Sequence, residues 1–200
     1  MARIRITGGE WRSRLVQVTD AVQTQGLRPT PDRVRVTLFN WLGQDLSGLR
    51  CLDLFAGSGM LGFEAASRGA EQVTFVEQSP LVFRQLQQNA AALDTETNTN
   101  PHRLELIRTD ALKFAPTVVR PYDLVFLDPP YHQGWLERIA PLLVHVATPE
   151  ARIYVEAEHA VETLGSWQCV KRGQAGQVFY QLLELPCPIE LRSTPAPSIP

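Results

Sequence analysis

The chain has 200 residues, 44% of them hydrophobic and 20% charged, with a formal net charge of −2. This is the composition of one globular domain able to bury a real core, and not that of a uniformly basic nucleic-acid binder. No apolar run approaches the roughly 20 residues a membrane span needs, and the start "MARIRITGGEW" lacks the apolar stretch of a secretory signal.

Three cysteines, Cys51, Cys169 and Cys187, stand far apart without metal-ligand spacing, so no metal and a reducing, cytoplasmic setting are expected. Charge is unevenly distributed. Residues 1–50 hold eight arginines against four acids, whereas residues 51–200 carry a net negative charge. That asymmetry fits either an end that meets a polyanion or a plain solvated basic surface.

In chain order, residues 3–18 alternate Ile4 and Ile6, a Gly8-Gly9 turn, then Leu15, Val16 and Val18, which predicts a β-hairpin studded with arginines. Pro29 and Pro31 punctuate the next stretch. Thr30 or Asp32 can cap a following helix whose apolar face is Val34, Leu38, Trp41 and Leu42. From residue 49 the pattern alternates strand and helix: strands at 49–55, 72–77, 103–110, 122–131 (the strand with its end) and 151–158, helices at 60–69, 80–93 and 134–146, the last broken by Pro141. Two further apolar stretches flank Gly173 to Gly176 and read as a closing antiparallel pair. Residues 94–102 form a polar loop, and the last 15 residues contain five prolines, a flexible tail.

Alternating strands and helices predict a mainly parallel sheet covered on both faces. Ligands in such sheets bind at the carboxyl ends of the strands. After the first strand of this unit stands "DLFAGSG", where Asp53 precedes Phe55, Ala56, Gly57, Ser58 and Gly59. Glycines there let the backbone approach a ligand. Glu77, 20 residues beyond Gly57, ends the second strand and is followed by Gln78; a carboxylate at this place can accept both hydroxyls of an adenosine ribose. Asp110 and Ala111 end the third strand, placed to meet an adenine edge. All of this suits either a nicotinamide dinucleotide or S-adenosylmethionine (AdoMet). Gly57 to Gly62 even fits the dinucleotide pattern G-x-G-x-x-G.

The fourth strand ends in Asp128-Pro129-Pro130-Tyr131, for which hydride transfer has no evident use. An exocyclic base amine is a poor nucleophile because its lone pair is conjugated into the ring. Two acceptors aimed at its hydrogens localise that pair. Asp128 supplies a carboxylate and Pro129 a backbone carbonyl whose direction the Pro-Pro rings restrict. Tyr131 offers a face for stacking the base, worth about 1–3 kcal/mol. Catalysis then rests on orientation and electrostatics.

With FAGSG followed by DPPY, the chain resembles AdoMet-dependent amino-methyltransferases of nucleic-acid bases, and most closely the small-subunit ribosomal RNA guanine-N2 methyltransferase family RsmD. "RITGGEWRSR" (5–14), "LRPTPDRVRVTLFNWL" (27–42), "FLDPPY" (126–131), "IYVEAE" (153–158) and "GQVFYQL" (176–182) carry the resemblance. It implies a Rossmann-like AdoMet methyltransferase fold, α/β, with a seven-stranded mainly parallel sheet, an antiparallel last strand and an N-terminal hairpin extension. The expected division is 1–48 for the RNA-facing extension, 49–185 for the AdoMet domain and 186–200 for the tail. By the same resemblance Asp53 to Gly59, Glu77 and Asp110 would hold AdoMet, and Asp128 to Tyr131 would hold and activate guanine.

Arg28, Thr30, Arg33 and Arg35 would line the substrate side, with Arg3, Arg5, Arg12 and Arg14 of the hairpin as further RNA-binding residues. Val36 departs from the family, which usually has Glu there. The implied partner is 16S rRNA in an assembled or assembling small subunit, with the protein a monomer. Rival readings are a DNA adenine-N6 methyltransferase, a protein amide methyltransferase, a non-catalytic assembly factor and, last, an oxidoreductase. Against the first, only some 48 residues precede strand one and no long insertion follows Tyr131, which leaves little to read a duplex.

Overall fold

The structure, a computed structural model, describes residues 2–18, 30–94 and 103–186. Arg28, most of the polar loop 94–102 and the proline-rich tail lie outside the described residues. The chain starts with an antiparallel hairpin of β1 (Ala2–Arg5) and β2 (Leu15–Val18), followed by α1 (Asp32–Leu42). Then come β3 (Arg50–Asp53), α2 (Met60–Ser67), β4 (Gln72–Val76), α3 (Pro80–Asp94), β5 (Leu104–Ile107), α4 (Ala111–Phe114) and β6 (Tyr122–Leu127). After β6 run α5 (Trp135–Ile139), a 3-10 turn containing Pro141, and α6 (Leu143–Val146). The chain continues through β7 (Ala147–Ala157), β8 (Thr163–Leu164), β9 (Trp167–Ala175) and β10 (Val178–Glu184). Pro141 tightens one helical stretch into two short helices, because its nitrogen has no proton for the helix ladder.

The main sheet has eight strands in the order β5-β4-β3-β6-β7-β10-β9-β8. The first five are parallel and the last three antiparallel. Seven strands with one antiparallel member were expected. The eighth is the two-residue β8, too short to leave a period-2 pattern, and the antiparallel part comprises three strands rather than one. Alternation along the strands sorts the core into two layers. Cys51, Phe75, Leu124, Phe126 and Tyr154 face one side, with α1, α2, α3 and the hairpin. Leu52, Val76, Val125, Leu127 and Val155 face the other, with α4 to α6.

The N-terminal extension shares the first of these layers: Ile6, Trp11, Val16, Leu38 and Phe39 pack in one cluster with Phe63, Phe75 and Phe126. Gly8-Gly9 was expected as the hairpin's turn. The connection is longer, running from Ile6 to Arg14, and the glycines serve a close approach to the end of α2. A Cβ on Gly9 would stand 1.9 Å from the Ser67 carbonyl oxygen, and φ there is +75°. The Ser67 hydroxyl donates to the Gly8 carbonyl at 2.6 Å and accepts from the Trp11 amide at 2.8 Å. Asn89 of α3 ties the other end by exchanging two hydrogen bonds with the Gln17 backbone.

Candidate active site

The glycine turn sits where the alternation predicts, at the carboxyl end of β3. Gly59 has φ +84° and starts α2; a Cβ there would meet Leu86 and Phe63 at 2.5 Å. Gly57, at φ +51°, has only the Phe55 carbonyl oxygen, 4.0 Å from where a Cβ would stand, so its outer side is open to a ligand. Gly62 belongs to packing: its Cβ would lie 2.2 Å from the Phe75 ring. The match to G-x-G-x-x-G is therefore one glycine with an open side, Gly57, and two, Gly59 and Gly62, that close packing requires.

Two carboxylates hold this turn in shape. Glu77 Oε2 accepts from the Gly57 amide at 3.0 Å and Oε1 from the Ser79 amide at 2.7 Å. Asp53 accepts from the Gly62 amide at 3.0 Å, bracing the first turn of α2. Burial raises both groups. Asp53 is pushed up to about 7, its hydrogen bond opposing and the charges of Glu77 and Glu156 adding. Glu77 is raised too, against the pull of its backbone donors. A small open cleft of about 30 Å³ adjoins the turn, bounded by Phe55, Glu77, Gln78, Ala111, Pro130 and Trp135. Phe55 and Trp135 meet edge to face, 5.3 Å between centroids, and form its aromatic wall. Ala56 and Ser58 are buried behind it, and the Ser58 carbonyl accepts from Asn89. Thr109 and Ala111 line the cleft, and Asp110 stands between them. Its carboxylate caps α4, Oδ1 accepting from the amides of Leu112 and Lys113, because the four orphan amides of a helix start need acceptors.

At the end of β6, Asp128 is half-buried, Pro130 faces the cleft, and Tyr131 faces a larger groove of about 800 Å³ bounded by Val34, Glu156 and Phe179. Asp53 pairs with Phe126, and Phe126 with Tyr154. Two residues further on come Asp128 and Glu156, so all three acids face one side of the sheet at neighbouring strand ends. Burial lifts the Asp128 carboxyl well above its ordinary range, and the charges of Glu156 and Asp53 lift it further. The Tyr131 phenol is raised by burial and by the charges of Asp128, Glu156 and Glu158. Beyond the motif, His132 holds φ +60°, where its amide reaches Glu158 at 3.0 Å; a non-glycine residue there is the kind of local strain found beside functional sites.

The arginines divide. Arg35, expected to line the substrate side, is 0% exposed. Its guanidinium pairs with Glu64 at 3.0 Å and donates to the carbonyls of Thr30 and Arg5 and to Asp32. A buried guanidinium needs its donors satisfied, so it is an internal brace and not an RNA contact. Glu64 also accepts from Thr7 and Arg68, locking hairpin, α1 and α2 together. Thr30 was expected as a helix cap or substrate contact. It is 4% exposed and donates to Glu156 Oε1 at 2.7 Å. Arg14 reaches the carbonyls of Ala92 and Leu93 at the end of α3. Arg3, Arg5, Arg12 and Arg33 are exposed.

Glu156, Trp135 and Asn89 were not singled out from the sequence. Glu156 did leave a signal, an acid at the end of the apolar run "IYVEAE".

The family described as Conserved hypothetical protein 95 matches residues 4–184. Ribosomal RNA small subunit methyltransferase D of Escherichia coli K12 is 41% identical over 187 residues, 91% of this chain and 90% of that one. The chain belongs to this methyltransferase family. The solved structure of the putative methyltransferase yhhF from Escherichia coli superposes with a TM-score of 0.79 at 40% identity, covering 92% of this chain and 98% of that one. An RNA methyltransferase from Salinibacter ruber, in complex with S-adenosyl-L-homocysteine, shares the fold at 16% identity and a TM-score of 0.60, covering 82% of this chain and 99% of that one. Among the described residues no helix is long and apolar enough to cross a membrane, and no group of three or more His, Cys, Asp or Glu is placed to hold a metal ion.

Proposed function

We propose that this protein transfers a methyl group from AdoMet to the exocyclic N2 amine of a guanine in 16S ribosomal RNA, within an assembled or assembling small subunit, acting as a cytoplasmic monomer. The observation that carries the reading is the adjacency of two spaces at the strand ends. An aromatic-walled cleft next to the glycine turn and a wide groove meet at Pro130 and Tyr131 of one four-residue motif. The names of the relatives support the RNA class.

The residues present fit AdoMet. Gly57 leaves an open backbone approach, Glu77 stands beside it, and Asp53 and Asp128, whose carboxyls burial raises, are groups that a cationic ligand would draw toward their ionised forms. When bound, AdoMet supplies an electrophilic methyl group on a positively charged sulfur. The protein's own part is orientation. The Asp128 carboxylate and the Pro129 carbonyl accept the two hydrogens of the amine, and Tyr131 stacks on the base. Phe55 and Trp135 close the cofactor side, while Asp53 and Glu77 keep the glycine turn rigid. Asp110 acts through α4, whose start it caps beside the cleft. Residues 1–48 form the RNA-facing extension, with Arg3, Arg5, Arg12 and Arg33 toward phosphate. The target base must leave its stack to reach Asp128.

The test is transfer of labelled methyl groups to undermethylated small subunits, free 16S rRNA, DNA and protein, followed by mapping of the modified nucleotide. We expect label in the small subunit as N2-methylguanosine. Label confined to DNA or protein, or on another base, overturns the reading.

A further inference from the structure

Glu156 has an environment that holding and methylating the amine does not use. It is 2% exposed, at the end of β7. Strands β6 and β7 are parallel with Leu127 beside Val155, and continuing that register sets Asp128 beside Glu156. Neighbouring strands lie about 4.8 Å apart, and laterally paired residues point to the same face. The two oxygens of Glu156 differ. Oε1 accepts from Thr30 at 2.7 Å and from the Tyr154 hydroxyl at 2.9 Å. No hydrogen bond reaches Oε2 from the described residues. The side chain borders the groove beside Tyr131 and a smaller recess with Pro129 and Pro130. Burial raises the Glu156 carboxyl above its ordinary range; the Thr30 and Tyr154 hydrogen bonds and the guanidinium of Arg35, whose own donors brace the Thr30 backbone, oppose that shift and favour the ionised form. Oε2 is thus an acceptor that takes no hydrogen bond from the described residues and is not sealed from the groove, where a ligand donor can reach it.

We propose that Glu156 selects guanine, its Oε2 accepting the ring N1–H while Asp128 and Pro129 hold the adjacent amine. Among bases with an exocyclic amine, guanine alone has a protonated ring nitrogen beside it. Adenine and cytosine present a lone pair there, which an ionised carboxylate repels. Thr30 and Tyr154 are positioning residues: by donating to Oε1 they turn Oε2 to the groove. The N-terminal extension thereby sets base choice through Thr30, besides any contact with phosphate.

This inference rests on methyl transfer to a base amine as proposed above, and its test separates the two. Small subunits are reconstituted with the target guanine or with 2-aminopurine, which keeps the amine but has an unprotonated N1. We expect wild-type protein to favour guanine by about 100-fold or more in kcat/KM, since a site built for a donor rejects the analogue lacking it. In Glu156→Gln, Thr30 and Tyr154 hold the amide oxygen and turn the amide N–H to the groove, where it suits an N1 acceptor. The preference should narrow at least tenfold, with AdoMet affinity within a few-fold of wild type. A wild-type preference near unity overturns the inference, whether or not the variant folds, and so does an unchanged preference in a folded variant. Absence of transfer to guanine in the wild type overturns the function itself.

Discussion

At the residue scale, the proposed reaction turns on Asp128. Its task requires the ionised form, because a protonated carboxyl is a far weaker acceptor for an amine hydrogen. Burial, then Glu156, then Asp53 raise it well above its ordinary value near 4. A raised pKa means that the ionised form appears only at higher pH. kcat/KM for AdoMet, which reports the free enzyme, should therefore rise with pH along an acid limb well above pH 4. A limb at or below 4 contradicts the arrangement. Asp128→Asn keeps the shape and one acceptor oxygen but loses the charge. We expect kcat to fall about 100-fold or more while calorimetric AdoMet affinity stays within a few-fold.

At the element scale, the hairpin, α1 and α2 meet on one buried ionic cluster. Glu64 lies in a helix whose eight residues are all buried, and Arg35 and Arg68 reach it from two sides, Arg68 also lying over the Phe39 ring. Removing one partner of such a cluster leaves an uncompensated buried charge, at a cost of about 3–5 kcal/mol. Arg35→Met should lower the unfolding free energy in urea by that order. It should also loosen Thr30, since the Arg35 guanidinium holds the Thr30 carbonyl at 2.9 Å. A change under about 1 kcal/mol would mean that the cluster is not the joint between extension and sheet. Strand positions were legible because alternation has a strict period of 2, and β3, β4 and β6 appear where the apolar runs lie. The two-residue β8 and the long hairpin connection were not. One is too short to show a period, and the other depends on Gly9 meeting Ser67, nearly 60 residues away.

Across the whole molecule, the basic N-terminal end was visible in composition, but its division of labour was not. Arg14 and Arg35 read like their neighbours and turn inward; Arg3, Arg12 and Arg33 are exposed. Replacing those three with Ala should weaken binding to the small subunit and flatten its salt dependence. Every phosphate left without its arginine takes about 0.7–0.9 from the slope of log K against log salt. An equal slope in the triple variant would move the RNA-binding surface elsewhere.

Local rules made the parallel strands, the glycine turn and the Asp-Pro-Pro-Tyr end of β6 readable, because each depends on neighbours within a few residues. The alternating pattern placed Asp53, Glu77 and Asp128 at strand ends before any contact was known. Which acids stand together was decided only by folding. Sheet register, through Leu127 beside Val155, brings Asp128 and Glu156 together from positions 28 residues apart, and Thr30 arrives from 126 residues away to fix the direction of Glu156. Burial turns Arg35 from an expected RNA contact into a brace, for a charged group removed from water must take its partners from the protein. The sequence alone determined the fold class and the strand-end motifs. Tertiary contacts, which no local pattern encodes, decided which side chains border the groove and which hold the site in place.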